Sequence, residues 1–183
     1  MTKRVIVVNF EVSSQAYQAF STVKKAHMER KIKGEQMAVV THSNEGAHHF
    51  KVEDFIDFTG TNKTSRGGMI GILLGILGGP LGIMLGWFGG SIIGASQDAQ
   101  EIKHAHTIFE LLSREIGEGD TGLIVIAEEE DNRILNQLLT YDLGGRIHRF
   151  DYEEVETELQ KVKEIEDATK ENAKKVWEEN HPE

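Results

Sequence analysis

Residues 67–97 carry no charged side chain, and glycine recurs along them on a four-residue beat. The beat runs through Gly67, Gly71, Gly75 and Gly79, then through Gly82, Gly86, Gly90 and Gly94, with Pro80 at the break. Residues four apart share a helix face, so each half reads as a helix with one smooth glycine stripe. Between the glycines stand large apolar residues, among them Ile70, Leu73, Leu77, Leu81, Leu85, Trp87 and Phe88. Each glycine inside a helix costs about 1 kcal/mol against alanine. Each large apolar side chain gains about 1.5–3 kcal/mol when buried, and a whole domain is stable by only about 5–15 kcal/mol. The segment must therefore be buried, in lipid or in protein. The stripe lets two backbones approach where larger side chains would hold them apart.

The flanking sequence has the ordinary alternation of a folded domain. Val5-Ile6-Val7-Val8-Asn9-Phe10 is a β-branched run typical of a strand covered on both faces. Ser13 and Ser14 offer N-caps for a helix carrying Tyr17, Phe20 and Val23, ending near Gly34. Met37 to Thr41 and His48 to Phe55 read as strands, joined by turn chemistry at Ser43-Asn44-Glu45-Gly46. After the glycine segment, Ile102, Ala105, Phe109, Leu112 and Ile116 keep helical spacing, and Leu123-Ile124-Val125-Ile126-Ala127 is a second buried-type strand.

This order predicts an α+β fold, a ferredoxin-like β-α-β-β-α-β core with an inserted glycine-zipper helical hairpin. Beyond the core, Asp131 or Asn132 caps a short helix with Leu135, Leu138 and Leu139, and Arg146 to Phe150 adds a fifth strand. From Glu153 the chain reads as a long, charged, amphipathic helix with a thin apolar stripe, docked on a partner helix or on the body, or frayed. The expected divisions are 1–59 and 99–151 for the two parts of the core, 60–98 for the hairpin and 152–183 for the charged C-terminal helix.

Topology limits what the hairpin can do in a bilayer. Three strands precede it and one follows, so a single crossing would put the halves of one sheet on opposite sides. Two arms turning near Gly79-Pro80 keep the core together. Each arm, at about 14–16 residues and 1.5 Å per residue, is roughly 21–24 Å long. That is short of the roughly 30 Å of hydrocarbon, so partial insertion or packing among copies fits better than full spanning.

Composition removes several functions. The 183 residues carry a formal net charge of −10, which argues against a nucleic-acid partner. The chain has no cysteine, which excludes disulfides, thiolate catalysis and cysteine-ligated metals. Met1-Thr2-Lys3-Arg4 leads straight into a strand rather than a signal peptide, so the expected location is the cytoplasm or the cytoplasmic face of the membrane.

The order of motifs resembles a bacterial glycine-zipper family of unknown function whose members are labelled membrane proteins or stress proteins. The resemblance covers roughly residues 3–150. It rests on Val5-Ile6-Val7-Val8, Asp57-Phe58-Thr59-Gly60, the ladders around Gly79-Pro80-Leu81-Gly82, and Gly122-Leu123-Ile124-Val125-Ile126. It implies association with membranes or stress, and it carries no catalytic residue with it.

Individual motifs point to no reaction. Gly60-Thr61-Asn62-Lys63-Thr64 has Asn62 where a phosphate-binding loop needs glycine before its lysine. It reads as a polar hinge whose Lys63, with Arg66, meets lipid headgroups. Among the 8 histidines, His48 and His49 diverge on a strand and His104 and His106 on a helix, so no pair has ligand spacing. Glu128-Glu129-Glu130-Asp131 reads as a solvated strand end followed by the negative first turn of a helix.

No catalytic residue, cofactor or metal ligand is nominated. The expected function is non-enzymatic: a membrane-associated or self-assembling protein whose partner is membrane lipid or itself. The glycine ladder is the helix-packing interface, and Leu73, Leu77, Leu85, Trp87 and Phe88 are the lipid or subunit contacts. Two alternatives compete with it. One is a soluble homo-oligomer with the hairpin buried between subunits. The other is a small-molecule sensor or enzyme, whose mark would be a cleft gathering His42, His49 and carboxylates.

Overall fold

The computed structural model describes residues 1–43, 50–60, 68–77, 112 and 114–180. Five strands form one antiparallel sheet: β1 (Thr2–Asn9), β2 (Lys33–His42), β3 (Phe50–Asp57), β4 (Thr121–Glu129) and β5 (Arg146–Asp151). Their order across the sheet is β3-β2-β4-β1-β5. Val5 to Val8 and Leu123 to Val125 are fully buried, as apolar runs at the centre of a covered sheet must be. They pair directly, Val5 with Ile126 and Val7 with Ile124, while Val39 of β2 pairs with Leu123 on the other side of β4.

The fold is α+β, as the sequence predicts, but the sheet order differs from a ferredoxin-like one. Strands β1 and β2 both run antiparallel to β4, which lies between them. A ferredoxin-like sheet fills that gap with its third strand. Here β3 lies outside β2, at the edge. The reason is chemical. Strand β3 carries Lys51, Glu53, Asp54 and Asp57, which suit a strand with one side open. The apolar run of β4 needs neighbours on both sides and cover on both faces.

Helices supply that cover. On one face α1 (Ser13–Met28) brings Ala16, Ala19, Phe20 and Val23 against Ile6, Val8, Met37 and Val39. Its N-cap is Val12 rather than Ser13 or Ser14, closed by Gln15, whose side chain accepts a hydrogen bond from the Val12 amide at 3.2 Å. A short helix α3 (Arg133–Leu135) runs into a π turn (Asn136–Tyr141) on the same face, and Asp131 caps it by accepting from the Arg133 amide at 2.8 Å.

On the opposite face lie α2 (Gly68–Leu77), Leu112, Ile116 and the start of α4 (Tyr152–Asn180). The long charged helix is thus docked on the body through Val155, Leu159 and Val162. The first glycine-rich arm is part of the core.

Candidate functional site

Helix α2 opens at Gly68, whose φ of +73° suits glycine and where a Cβ would run into the Gln36 side chain. Gln36, buried on β2, accepts a hydrogen bond from the Ile70 amide at 3.4 Å and donates to Asp57 Oδ2 at 3.4 Å. One sheet side chain therefore serves a free amide at the helix start, that of Ile70.

Along α2 the faces divide by size. Met69, Ile70, Leu73, Leu74 and Ile76 are buried in one cluster with Val5, Val7, Ala38, Val40 and Ile124. At 3.6 residues per turn, Gly71 and Gly75 fall on the opposite side, whereas Gly68 abuts Gln36 at the helix start. Gly75 is exposed, and a Cβ added there would meet no atom within 4 Å. The large residues point into the protein and Gly75 points out. Beside this stripe, Met69 and Ile72 of α2 and Tyr152 and Leu159 of α4 line a groove of about 220 Å³.

Leu73, expected at a lipid or subunit contact, is fully buried in the chain's own core, because the side of α2 it occupies covers the sheet. Leu77 ends the helix, and its side chain lies outside the described part of the structure. Also outside the described residues are Gly67, Gly79, Gly82, Gly86, Gly90, Gly94, Leu85, Trp87, Phe88, Lys63, Arg66 and His49. No helix among the described residues is long and apolar enough to cross a membrane. Because β4 pairs with both β1 and β2, a single crossing between Leu77 and Leu112 is excluded.

The remaining candidates resolve mostly into structural pairs. The His42 ring is buried, its Nδ1 donates to the Ile116 carbonyl at 2.7 Å, and it stacks on Phe50 with centroids 4.6 Å apart. It ties β2 to Ile116, in the approach to β4, rather than lining an open cleft. Among the described residues no three histidine or carboxylate groups converge as a metal site.

The acidic run is not uniformly solvated. Glu128 accepts from Lys33 at 2.6 Å, and that bond holds its carboxyl below the usual range. Asp131 is likewise held low, by the Arg133 guanidinium at 2.6 Å. Glu129 is instead buried, only 3% exposed, and receives Arg149 in a two-pronged pair at 2.8 and 3.0 Å. Arg149 Nη1 also donates to Asn136 Oδ1 at 2.9 Å, joining β4, β5 and the π turn.

Sequence reasoning missed this network and the cleft beside it. The cleft, about 550 Å³, is lined by the π turn, by the start of β5 and by Glu115. His148 Nε2 lies 3.2 Å from Glu115 Oε2 on its wall. The entry to β5 presses close on β1, for a Cβ at Gly145 would come within 2.7 Å of the Val8 and Phe10 side chains. The legible signal was the glycine pair Gly144-Gly145 followed by three basic or titratable residues in four. Comparison with family models, curated proteins and solved structures gives no match.

Proposed function

We propose that this protein is non-catalytic and self-associating, with the outward glycine face of α2 and the glycine ladder that follows it as the seam between helices. The observation that supports this is the division of α2 into a large-residue face spent on the sheet and an opposite side where Gly75 meets open space and Gly71 stands one turn before it. A bare backbone stripe offers lipid little apolar area, but it admits another helix at close range, where dispersion and weak Cα–H···O contacts accumulate. The partner favoured by this arrangement is a second copy or the second arm. Peripheral membrane association is the companion reading, favoured by the uncharged run that continues through Trp87 and Phe88.

Gly75→Leu tests the seam cleanly. Its Cβ meets open space, so the substitution leaves the fold intact and raises helix propensity by up to about 1 kcal/mol. The expected result is an assembled wild-type chain, measured by light scattering on the full-length protein, and a smaller particle for Gly75→Leu. A monomeric wild type, or a variant of unchanged mass, overturns the proposal. Flotation with phospholipid vesicles separates the companion reading, which requires co-flotation that the variant loses.

A further inference from the structure

We infer that the cleft between the π turn and β5 binds a small organic anion carrying a planar ring, with Arg146 as the charge partner and Tyr141 as the platform for the ring. This site is independent of the glycine seam.

Four observations converge on it. The first is local charge. In a chain of formal net charge −10, the cleft is lined by two guanidinium groups, Arg146 and Arg149, against the single carboxylate of Glu115. Glu129 balances Arg149 and Arg114 pairs with Glu115 at 3.3 Å, so the charge this concave surface offers an anion is the Arg146 guanidinium.

The second is the division of labour between the two arginines. Arg149 is committed to Glu129 and Asn136. The Arg146 guanidinium makes no hydrogen bond or ion pair among the described residues, and the Thr140 and Tyr141 hydroxyls make none either. Three groups lining the cleft, two from the π turn and one from β5, thus stand ready for something outside the chain.

The third is the wall itself. The stretch Asn136–Tyr141 is a π turn, with the Asp142 amide bonded to the Gln137 carbonyl five residues back at 2.9 Å. Such turns are rare and frequently lie at functional sites. Widening the turn by one residue brings residue 141 back beneath residue 136, so that Asn136, Thr140 and Tyr141 all face the cleft. In an α-helical turn Tyr141 would swing away.

The fourth is exposure and size. The Tyr141 ring is 77% exposed, a large aromatic surface with nothing on it. The volume of about 550 Å³ suits a metabolite-sized molecule. A guanidinium takes a carboxylate or a phosphate equally well in a two-pronged bond, so the shared chemistry is an oxyanion on a flat body.

The test is a titration of the isotopically labelled full-length chain followed by amide resonances. The probes are benzoate and adenosine monophosphate, with inorganic phosphate and adenosine supplying the charge and the ring alone. Support is a saturable shift confined to residues 136–149 with at least one of the two ring-bearing anions, the tighter of the pair identifying carboxylate or phosphate. In Arg146→Ala that affinity falls about 10–100-fold, the worth of a charge-assisted hydrogen bond. In Tyr141→Ala it falls about tenfold, the worth of a stacked ring, with inorganic phosphate unaffected. Both side chains are at the surface, so the variants keep the wild-type spectrum elsewhere. Absence of local shifts at millimolar probe, or undiminished binding in Arg146→Ala, overturns the proposal.

Discussion

Glu129 and Arg149 show how much a single buried pair can decide. The carboxylate is 3% exposed and the guanidinium side chain 13%, and both prongs are short. Desolvation offsets most of the attraction in such a pair, yet removing one partner strands the other charge in a dry environment. Arg149→Ala is expected to cost about 3–5 kcal/mol in urea unfolding. The double replacement Glu129→Leu with Arg149→Met should recover most of that loss. A single variant costing under about 1 kcal/mol would mean that the pair is effectively solvated. In the sequence, Glu128, Glu129 and Glu130 look equivalent. The pleat sends neighbours to opposite faces, and the partner of Glu129 lies 20 residues downstream, beyond any local pattern.

At the scale of the element, α2 was legible as a helix but not in its orientation. Its glycine beat marks one smooth side, and large residues occupy every other direction. Periodicity therefore reveals the stripe without saying whether lipid, a partner or the chain's own sheet takes the rest. The sheet takes it, through Ile70, Leu73 and Ile76, because the central strands need cover on both faces and α1 lies on only one. Leu73→Ala should then lower stability by about 2–5 kcal/mol, as a cavity in a packed core does. If Leu73 met lipid instead, the variant would unfold at the wild-type urea concentration and change only vesicle binding. The opening turn was likewise beyond the sequence, since the helix start depends on Gln36, a residue of another element.

For the molecule as a whole, the buried character of β1 and β4 was readable directly, and so was the α+β class. The arrangement was not, because two strands of similar length compete for the gap between β1 and β2. The charges of β3 send it to the edge, and the uninterrupted apolar run of β4 wins the centre. Deletions report on this architecture. Removing residues 66–97 strips α2 from the sheet, so the product should lack a cooperative thermal transition by circular dichroism. Removing only 78–97 and rejoining the chain spares every described core residue, and should leave that transition in place. A folded product from the larger deletion would show that the sheet does without its glycine-rich cover.

The position of β4 has a consequence for synthesis. While the ribosome is still translating the stretch before Thr121, the growing polypeptide already holds two apolar strands that cannot reach one another, since the piece that separates and joins them has not been made. Cotranslational closure is therefore denied to this chain for most of its elongation. The centre of the sheet can close only once that codon has been passed, and until then the β2–β3 pair is the one native strand pairing among the described residues that the nascent chain can make.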